Sequence, residues 1–550
     1  MSRKSVFLAG VMAPATFCFT ILLSVTAMSQ AVPRPFLTNH VPDDVASGVA
    51  PLVGHLDAKE RVSLAISLPL KNQDQLELFL EDLYDPQSPN YHHYLSASEF
   101  AERFAASEED YGKVLRFAEA NKLKVVGRGA NRMVVDVEGA AADVETAFHT
   151  TLGVFQHPTE ARTFYAPERE PVVELDVPLL HISGMDNYSL PQAKNVISDA
   201  AVTPNASGSG PSGSFLGSDL RTAYYGSGSL NGAGQTVALY EYKGYNQSDI
   251  NAYFNNAGQS ENVPIKVISV NGASTTCGSG CTDIEQALDI EQAISMAPGL
   301  SQLRVYVGKN DISIFNQMAA DNVAKTISCS WGWGKDQSSL DPILEEMAAQ
   351  GQTVFVATGD QGASTAANVI WPSDDVWVTA VGGTVLTTKS AGGAWQSETG
   401  WVNSAGMPSK NNISIPSWQQ WAGVVTGSNG ASSSLRNIPD VSSESNASQY
   451  VCANGSCRTQ GGGTSYAAPL WASLMAMVNE QALNNGGSLM GFFNSTLYGI
   501  GTGSGFGSDF HDITSGNNGK YYAVSGYDLV TGWGSPNAVN LINALTPTHK

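Results

Sequence analysis

Ser465 stands in the string Gly461-Gly462-Gly463-Thr464-Ser465-Tyr466-Ala467-Ala468-Pro469-Leu470. Glycines let the chain turn sharply and let a substrate come close to the backbone. A helix opening at the serine offers N–H groups and positive potential to a developing oxyanion. These features suit a nucleophile, although Ser465 alone reads equally well as a helix N-cap. A serine hydroxyl needs a base, and histidine is the usual one. Seven of the nine histidines precede residue 182, and the other two, His511 and His549, follow the serine. A carboxylate is the substitute, and a carboxylate base implies chemistry in acid.

Glu285 and Asp289 supply a candidate base. In Thr282-Asp283-Ile284-Glu285-Gln286-Ala287-Leu288-Asp289 the spacing of four puts both carboxyls on one helix face. Two adjacent carboxyls do not both ionise easily, so they share a proton and titrate in split steps, with the base working near about pH 4. The competing reading makes Thr282 and Glu285 a capping box. Asp360, in Thr358-Gly359-Asp360-Gln361-Gly362, follows an apolar strand. Ligands bind at the carboxyl ends of parallel strands, and a protonated carboxyl there would donate to an oxyanion. A turn aspartate is the plain alternative. Asp512 and Asp528 flank a Gly/Asn/Ser-rich stretch whose hard oxygens suit calcium, without EF-hand spacing.

The elements that must position these groups fall into two patterns. Over 35–190 the order β-α-β-β-α-β predicts a ferredoxin-like α+β unit. Its strands are expected at 62–70, 124–127, 133–137 and 177–182, and its helices from the Ser96-Glu99 capping box and over 108–121 and 140–152. From about 216, apolar strands at 235–242, 303–308, 326–331, 353–358 and 377–381 alternate with helices at 248–256, 283–296, 311–321, 340–350 and 466–482. Continuous apolar strands between helices predict an α/β fold with a parallel sheet covered on both faces. The Ser/Gly/Pro/Asn-rich stretch 195–214 reads as a mobile linker open to cleavage.

The expected domains are therefore a signal peptide at 1–29, a prodomain at 30–190, a linker with the maturation site at 191–214 and a catalytic domain at 215–550. Arg3 and Lys4, the apolar run 6–25 and Ala27-Met28-Ser29 form the secretory signal, an uncleaved anchor being the alternative. Secretion to the medium or the periplasm follows, with no membrane attachment after signal removal. The net charge is -21, and residues 191–550 carry only 14 basic groups, which excludes nucleic-acid partners. Cys277/Cys281 and Cys452/Cys457 are candidate disulfides, and Cys329 is left as a buried thiol. The prodomain carries 25 acidic residues, so its contacts are expected to loosen as these protonate.

Together these residues resemble the sedolisin family of serine-carboxyl peptidases, which pairs Glu-x-x-x-Asp with a later Gly-Asp-x-Gly and a distant Gly-Thr-Ser. The string Asp85-Pro86-Gln87-Ser88-Pro89-Asn90-Tyr91-His92 is similar to the activation-domain signature of pro-kumamolisins. The resemblance implies a subtilisin-like catalytic domain made as a zymogen and inhibited by its own prodomain. It implies a serine endopeptidase for protein or peptide substrates, with tripeptidyl-peptidase action left open. Ser465 would be the nucleophile, Glu285 the base, Asp289 its proton-sharing partner and Asp360 the oxyanion donor. One Ca2+ would be held by Asp512 and Asp528 with the carbonyls of Ile513, Val524 and Gly526, although Val524 replaces the usual glycine. Thr358 stands where many relatives carry serine, and Glu241 and Trp331 would lie beside the carboxyl pair. An inactive binding protein of the same fold and a neutral subtilisin are the rival readings. The missing histidine opposes the second.

Overall fold

The computed structural model describes residues 34–35, 40–197, 208–278, 280–363 and 369–547. The expected signal at 1–29 and most of the linker lie outside the described residues.

The N-terminal unit is built from β1 (Arg61–Ser67), α1 (Gln73–Tyr84), α2 (Ala97–Arg103), α3 (Glu108–Ala120), β2 (Lys124–Arg128), β3 (Val134–Ala140), α4 (Ala141–Ala147) and β4 (His181–Ser183). Its sheet runs β2-β3-β1-β4, antiparallel throughout. That is the order of the split βαβ plan. Ser96 and Glu99 close the capping box that starts α2. Two expectations fail locally. The helix at 140–152 stops after Ala147, because Phe148 leaves helical geometry and His149 turns into the left-handed region, and a strand Leu152–Gln156 follows. The strand at 177–182 shrinks to β4, behind Pro178, which has no N–H to donate.

Two short strands follow, β5 (Gln192–Ala193) and β6 (Val196–Ile197). The C-terminal half then contributes β7 (Thr236–Glu241), β8 (Ile265–Ser269), α5 (Ile284–Met296), β9 (Gln302–Val307), α6 (Asp311–Asp321), β10 (Thr326–Cys329), β11 (Trp331–Gly332), α7 (Gln337–Ala349), β12 (Thr353–Ala357), β13 (Thr379–Thr388), β14 (Trp395–Gly400), β15 (Val441–Glu444), β16 (Ser456–Gly462) and α8 (Thr464–Asn484). Its eight-stranded sheet runs β8-β9-β7-β10-β12-β13-β14, with β15 also pairing β13. All pairs are parallel except β13 with β14.

Alternation within the central strands feeds two cores. Val237, Leu239, Val305 and Phe355 join the core covered by α5 and α8. Ala238, Tyr240, Ile327 and Val356 join the core covered by α6 and α7. The second core continues into the N-terminal unit through Leu76, Leu80, Leu83, Phe100, Phe104 and Met133. Each such side chain gains about 1.5–3 kcal/mol from burial, so apolar contact holds the two units together. Both candidate cysteine pairs are bonded, and Cys329 is free and buried.

Polar contacts line the same interface. Asn131 Nδ2 donates to Glu346 Oε2 at 2.6 Å, Gln73 Nε2 to Glu345 at 3.0 Å, and Ser313 Oγ to Asp136 at 2.5 Å. Burial pushes Glu346 up to about 8 and Glu345 up to about 7, and it raises Asp136. At these three contacts the dependence runs opposite to the sequence-based expectation that acid loosens the prodomain. A carboxyl whose folded pKa is raised contributes stability when protonated, and that contribution is lost as pH rises through the folded value. The Ser465→Ala precursor should therefore melt at a higher temperature as pH falls from about 8 towards 6. Glu346→Gln should flatten that dependence. Calorimetry across the range checks this; a melting temperature that drops on acidification over the same interval contradicts it.

Candidate active site

The sheet brings the expected residues to its carboxyl edge. Glu241 ends β7, Ser330 follows β10, and Asp360 lies three residues beyond the end of β12. Glu285 and Asp289 lie in the first turns of α5, which packs along α8, whose second residue is Ser465. The capping-box alternative is not realised, since α5 starts after Asp283 with no side-chain cap. Ser465 is not a cap either, because Gly463 holds that position.

Glu241 and Asp289 share a hydrogen bond, and both are fully buried with Glu285 beside them. Trp331 Nε1 donates to Glu241 Oε2 at 3.0 Å and Gln286 Nε2 donates to the same oxygen at 2.9 Å. Ser330 Oγ donates to Asp289 Oδ1 at 2.9 Å. Asn195 Nδ2 donates to Glu285 Oε2, and the Ser465 hydroxyl lies close enough to favour the ionised Glu285. Glu285 Oε1 has no partner among the described residues. Burial pushes all three carboxyls above the usual carboxylate range, Glu285 and Asp289 well above it, and each neighbour's charge adds to the effect on Asp289. Burial thus raises Glu285 above the range that the sequence suggested, against the opposing hydrogen bonds from Asn195 and the Ser465 hydroxyl.

Asp360 Oδ1 accepts from Thr464 N at 2.8 Å and from Thr464 Oγ1 at 2.9 Å, while Thr464 Oγ1 accepts from Gly359 N. Its other oxygen is buried and unpartnered among the described residues. Burial pushes Asp360 up to about 7, so it is neutral in acid. Gly463, at φ 126°, is required here. A Cβ would lie 2.5 Å from Lys194 O and 2.6 Å from Asp360 Oδ2. Those two oxygens therefore converge on one spot, where Ser465 N also donates to Lys194 O at 3.0 Å. An N–H and a protonated carboxyl aimed at one carbonyl oxygen make an oxyanion hole.

Asp512 accepts from Gly526 N and Ser525 Oγ, and Asp528 from Val524 N, Val530 N and Thr531 N. Both carboxyls thus face the 524–526 turn. The carbonyls of Ile513, Val524 and Gly526 accept no hydrogen bond from the described residues. Asp528 is fully buried without a cationic partner among them, and burial pushes it up to about 7. Two carboxyls and three free carbonyls fit a hard cation.

The sequence profile of "Pro-kumamolisin, activation domain" matches residues 50–188. Kumamolisin of Bacillus sp. (strain MN-32) is 28% identical over 530 residues, covering 90% of this chain and 93% of that protein. Sedolisin of Pseudomonas sp. (strain 101) is 29% identical over 545 residues, covering 89% and 88%. The solved structure of Pseudomonas sedolisin, a serine-carboxyl proteinase complexed with two molecules of pseudo-iodotyrostatin, is 30% identical with a TM-score of 0.51. It covers 60% of this chain and 96% of that one. The chain belongs to the sedolisin family. It is a serine peptidase with an activation domain, and the subtilisin-like fold expected from the sequence is the fold observed.

Within this sedolisin-family site, sequence reasoning missed Gln286, Ser330 and Thr464 as supports. Gln286 carried a signal, being one residue from Glu285 on the helix. Lys194 and Asn195 were read as linker start, and nothing in their types marks them as cleft residues.

Proposed function

We propose that this protein is a secreted zymogen whose mature form hydrolyses peptide bonds in acid. Ser465 is the nucleophile and Glu285 takes its proton at the unpartnered Oε1. Glu241 and Asp289 share a proton behind Glu285, which confines the negative charge of the cluster to the oxygen that faces the serine. Asp360 donates to the oxyanion through Oδ2 and must be protonated to do so. Glu285 then returns the proton to the leaving amine. The observation that carries this reading is the buried cluster of Glu241, Asp289 and Glu285 beside Ser465 with no histidine near it. His511 stacks on Trp395 at 3.9 Å, and the other described histidines lie in 40–181.

The pH profile follows from two groups. Activity falls as pH rises through about 7, where Asp360 ionises. It falls at low pH when the cluster loses its remaining charge. The optimum lies in acid, near about pH 3 to 5 for an open cleft where water lowers the base. The prodomain inhibits by covering the cleft, the signal at 1–29 directs export, and substrates are proteins or peptides cut endoproteolytically. One Ca2+ would be held by Asp512, Asp528 and the carbonyls of Ile513, Val524 and Gly526, where it supplies charge that lets both carboxyls ionise.

Ser465→Ala and Glu285→Gln should each lower kcat/KM on a denatured protein by roughly 10⁴-fold or more, with unchanged circular dichroism. Glutamine fills the same space but takes no proton. Near-normal turnover of Glu285→Gln, or a profile that peaks above about pH 7, would remove the mechanism.

Calcium should raise the melting temperature of the mature enzyme, more at about pH 5 than at about pH 3, because protons compete for the carboxylates. Asp528→Ala should abolish the gain. Calorimetry with calcium and with chelator reads this directly, and equal curves at the higher pH would reduce the pair to turn residues.

A further inference from the structure

The segment 192–197 lies in the cleft as a substrate would. β5 pairs antiparallel with β11, Gln192 opposite Gly332 and Ala193 opposite Trp331. Lys194 N donates to Ser330 O at 2.9 Å. The carbonyl of Lys194 sits in the oxyanion hole, 3.0 Å from Ser465 N. β6 then pairs antiparallel with β16, Val196 opposite Gly462 and Ile197 opposite Gly461. The chain is thus clamped on both sides of one peptide bond, and the carbonyl of that bond accepts from the backbone N–H of Ser465. The Asn195 side chain reaches the base, donating to Glu285 Oε2.

The Lys194 side chain is buried beside a cavity that it lines together with Gly359, Asp360, Gln361 and Val369. A Cβ at Gly332 would lie 2.5 Å from Lys194 Nζ, and one at Gly359 would lie 3.3 Å away. The glycines leave a slot for an unbranched stem. The ammonium donates to the Val369 carbonyl at its end, and Lys194 is 6% exposed. Asp360, Asp374 and Glu285 oppose the cost of burying this charge.

We propose that the precursor first cuts itself at Lys194–Asn195, and that the slot holding Lys194 makes lysine a preferred residue on the acyl side of substrates cut later. This rests on the peptidase reading above and adds the bond and the specificity. Ser465 Oγ attacks the Lys194 carbonyl carbon and passes its proton to Glu285. The Lys194 C–N bond breaks, and that proton goes to the Asn195 nitrogen. Water then attacks the Lys194–Ser465 ester, giving one proton to Glu285. The ester C–O bond breaks, and Glu285 returns the proton to Ser465 Oγ. One water is consumed, and the products are a Lys194 carboxyl and an Asn195 amine. The mature enzyme begins at Asn195 whatever residue stood at 194, so a change there alters the first substrate and leaves the product enzyme identical.

The test acidifies the full precursor in the presence of denatured casein and samples early, with N-terminal sequencing and intact mass. The expected first fragments end at Lys194 and begin at Asn195. Lys194→Ala should slow that cut by at least about 10-fold. On mature wild-type enzyme, a Gln-Ala-Lys-Asn-Val-Ile peptide should exceed its Gln-Ala-Ala-Asn-Val-Ile counterpart in kcat/KM by a similar factor. This arm holds even where the variant precursor fails to fold. A different first terminus while casein is digested, or equal turnover of the two peptides, overturns the proposal and leaves the peptidase reading intact. Undigested casein and an intact precursor overturn both.

Discussion

Three carboxyl groups share one buried site at short range. Glu241, Asp289 and Glu285 are buried at the carboxyl edge of the sheet, and like charges at this range in low dielectric do not coexist. Protons must be shared, and the donors decide where the remaining charge sits. Trp331 and Gln286 fix Glu241, Ser330 fixes Asp289, and Glu285 keeps one oxygen free. A histidine base would carry a full proton at low pH and fail there. A carboxyl cluster inverts that dependence, and Asp360 completes the logic because it is useful only while neutral.

The fold serves this constraint from both sides. Strand β7 delivers Glu241, the turn after β12 delivers Asp360, and α5 and α8 deliver the rest. The N-terminal unit extends the core behind α6 and α7, and the join buries carboxyls that prefer protonation, Asp136 from that unit and Glu345 and Glu346 from α7. Protonation of these carboxyls favours the assembled precursor, and under the proposed mechanism acid favours the chemistry as well. On this account acid starts catalysis in a cleft that is already loaded, and release of the prodomain follows the cut.

Much of this was legible in the sequence. Runs such as Thr353–Ala357, buried on every residue, gave away a parallel sheet, and the i, i+4 spacing of Glu285 and Asp289 placed both on one helix face. Helix α1 carries a helical signal in Leu76, Leu80 and Leu83, its buried stripe, but Asn72 before it makes no side-chain cap that would mark its start. The helix at 140–152 was overextended, since local propensity does not report the turn that His149 makes. The raised base and the loaded cleft were illegible for a deeper reason. Both depend on Lys194 and Asn195 pairing with residues 90 or more positions away, and neither composition nor period records such a meeting.

The central claim is that the cluster holds a shared proton at a pH where free carboxyls are ionised. Infrared difference spectra of the mature enzyme, compared with Glu241→Gln and Asp289→Asn, read protonated carboxyl C=O bands directly. The account predicts a band present at about pH 6 in the wild type and missing from both variants. Identical wild-type and variant spectra, with every carboxyl in the cluster titrating near about pH 4, would contradict it.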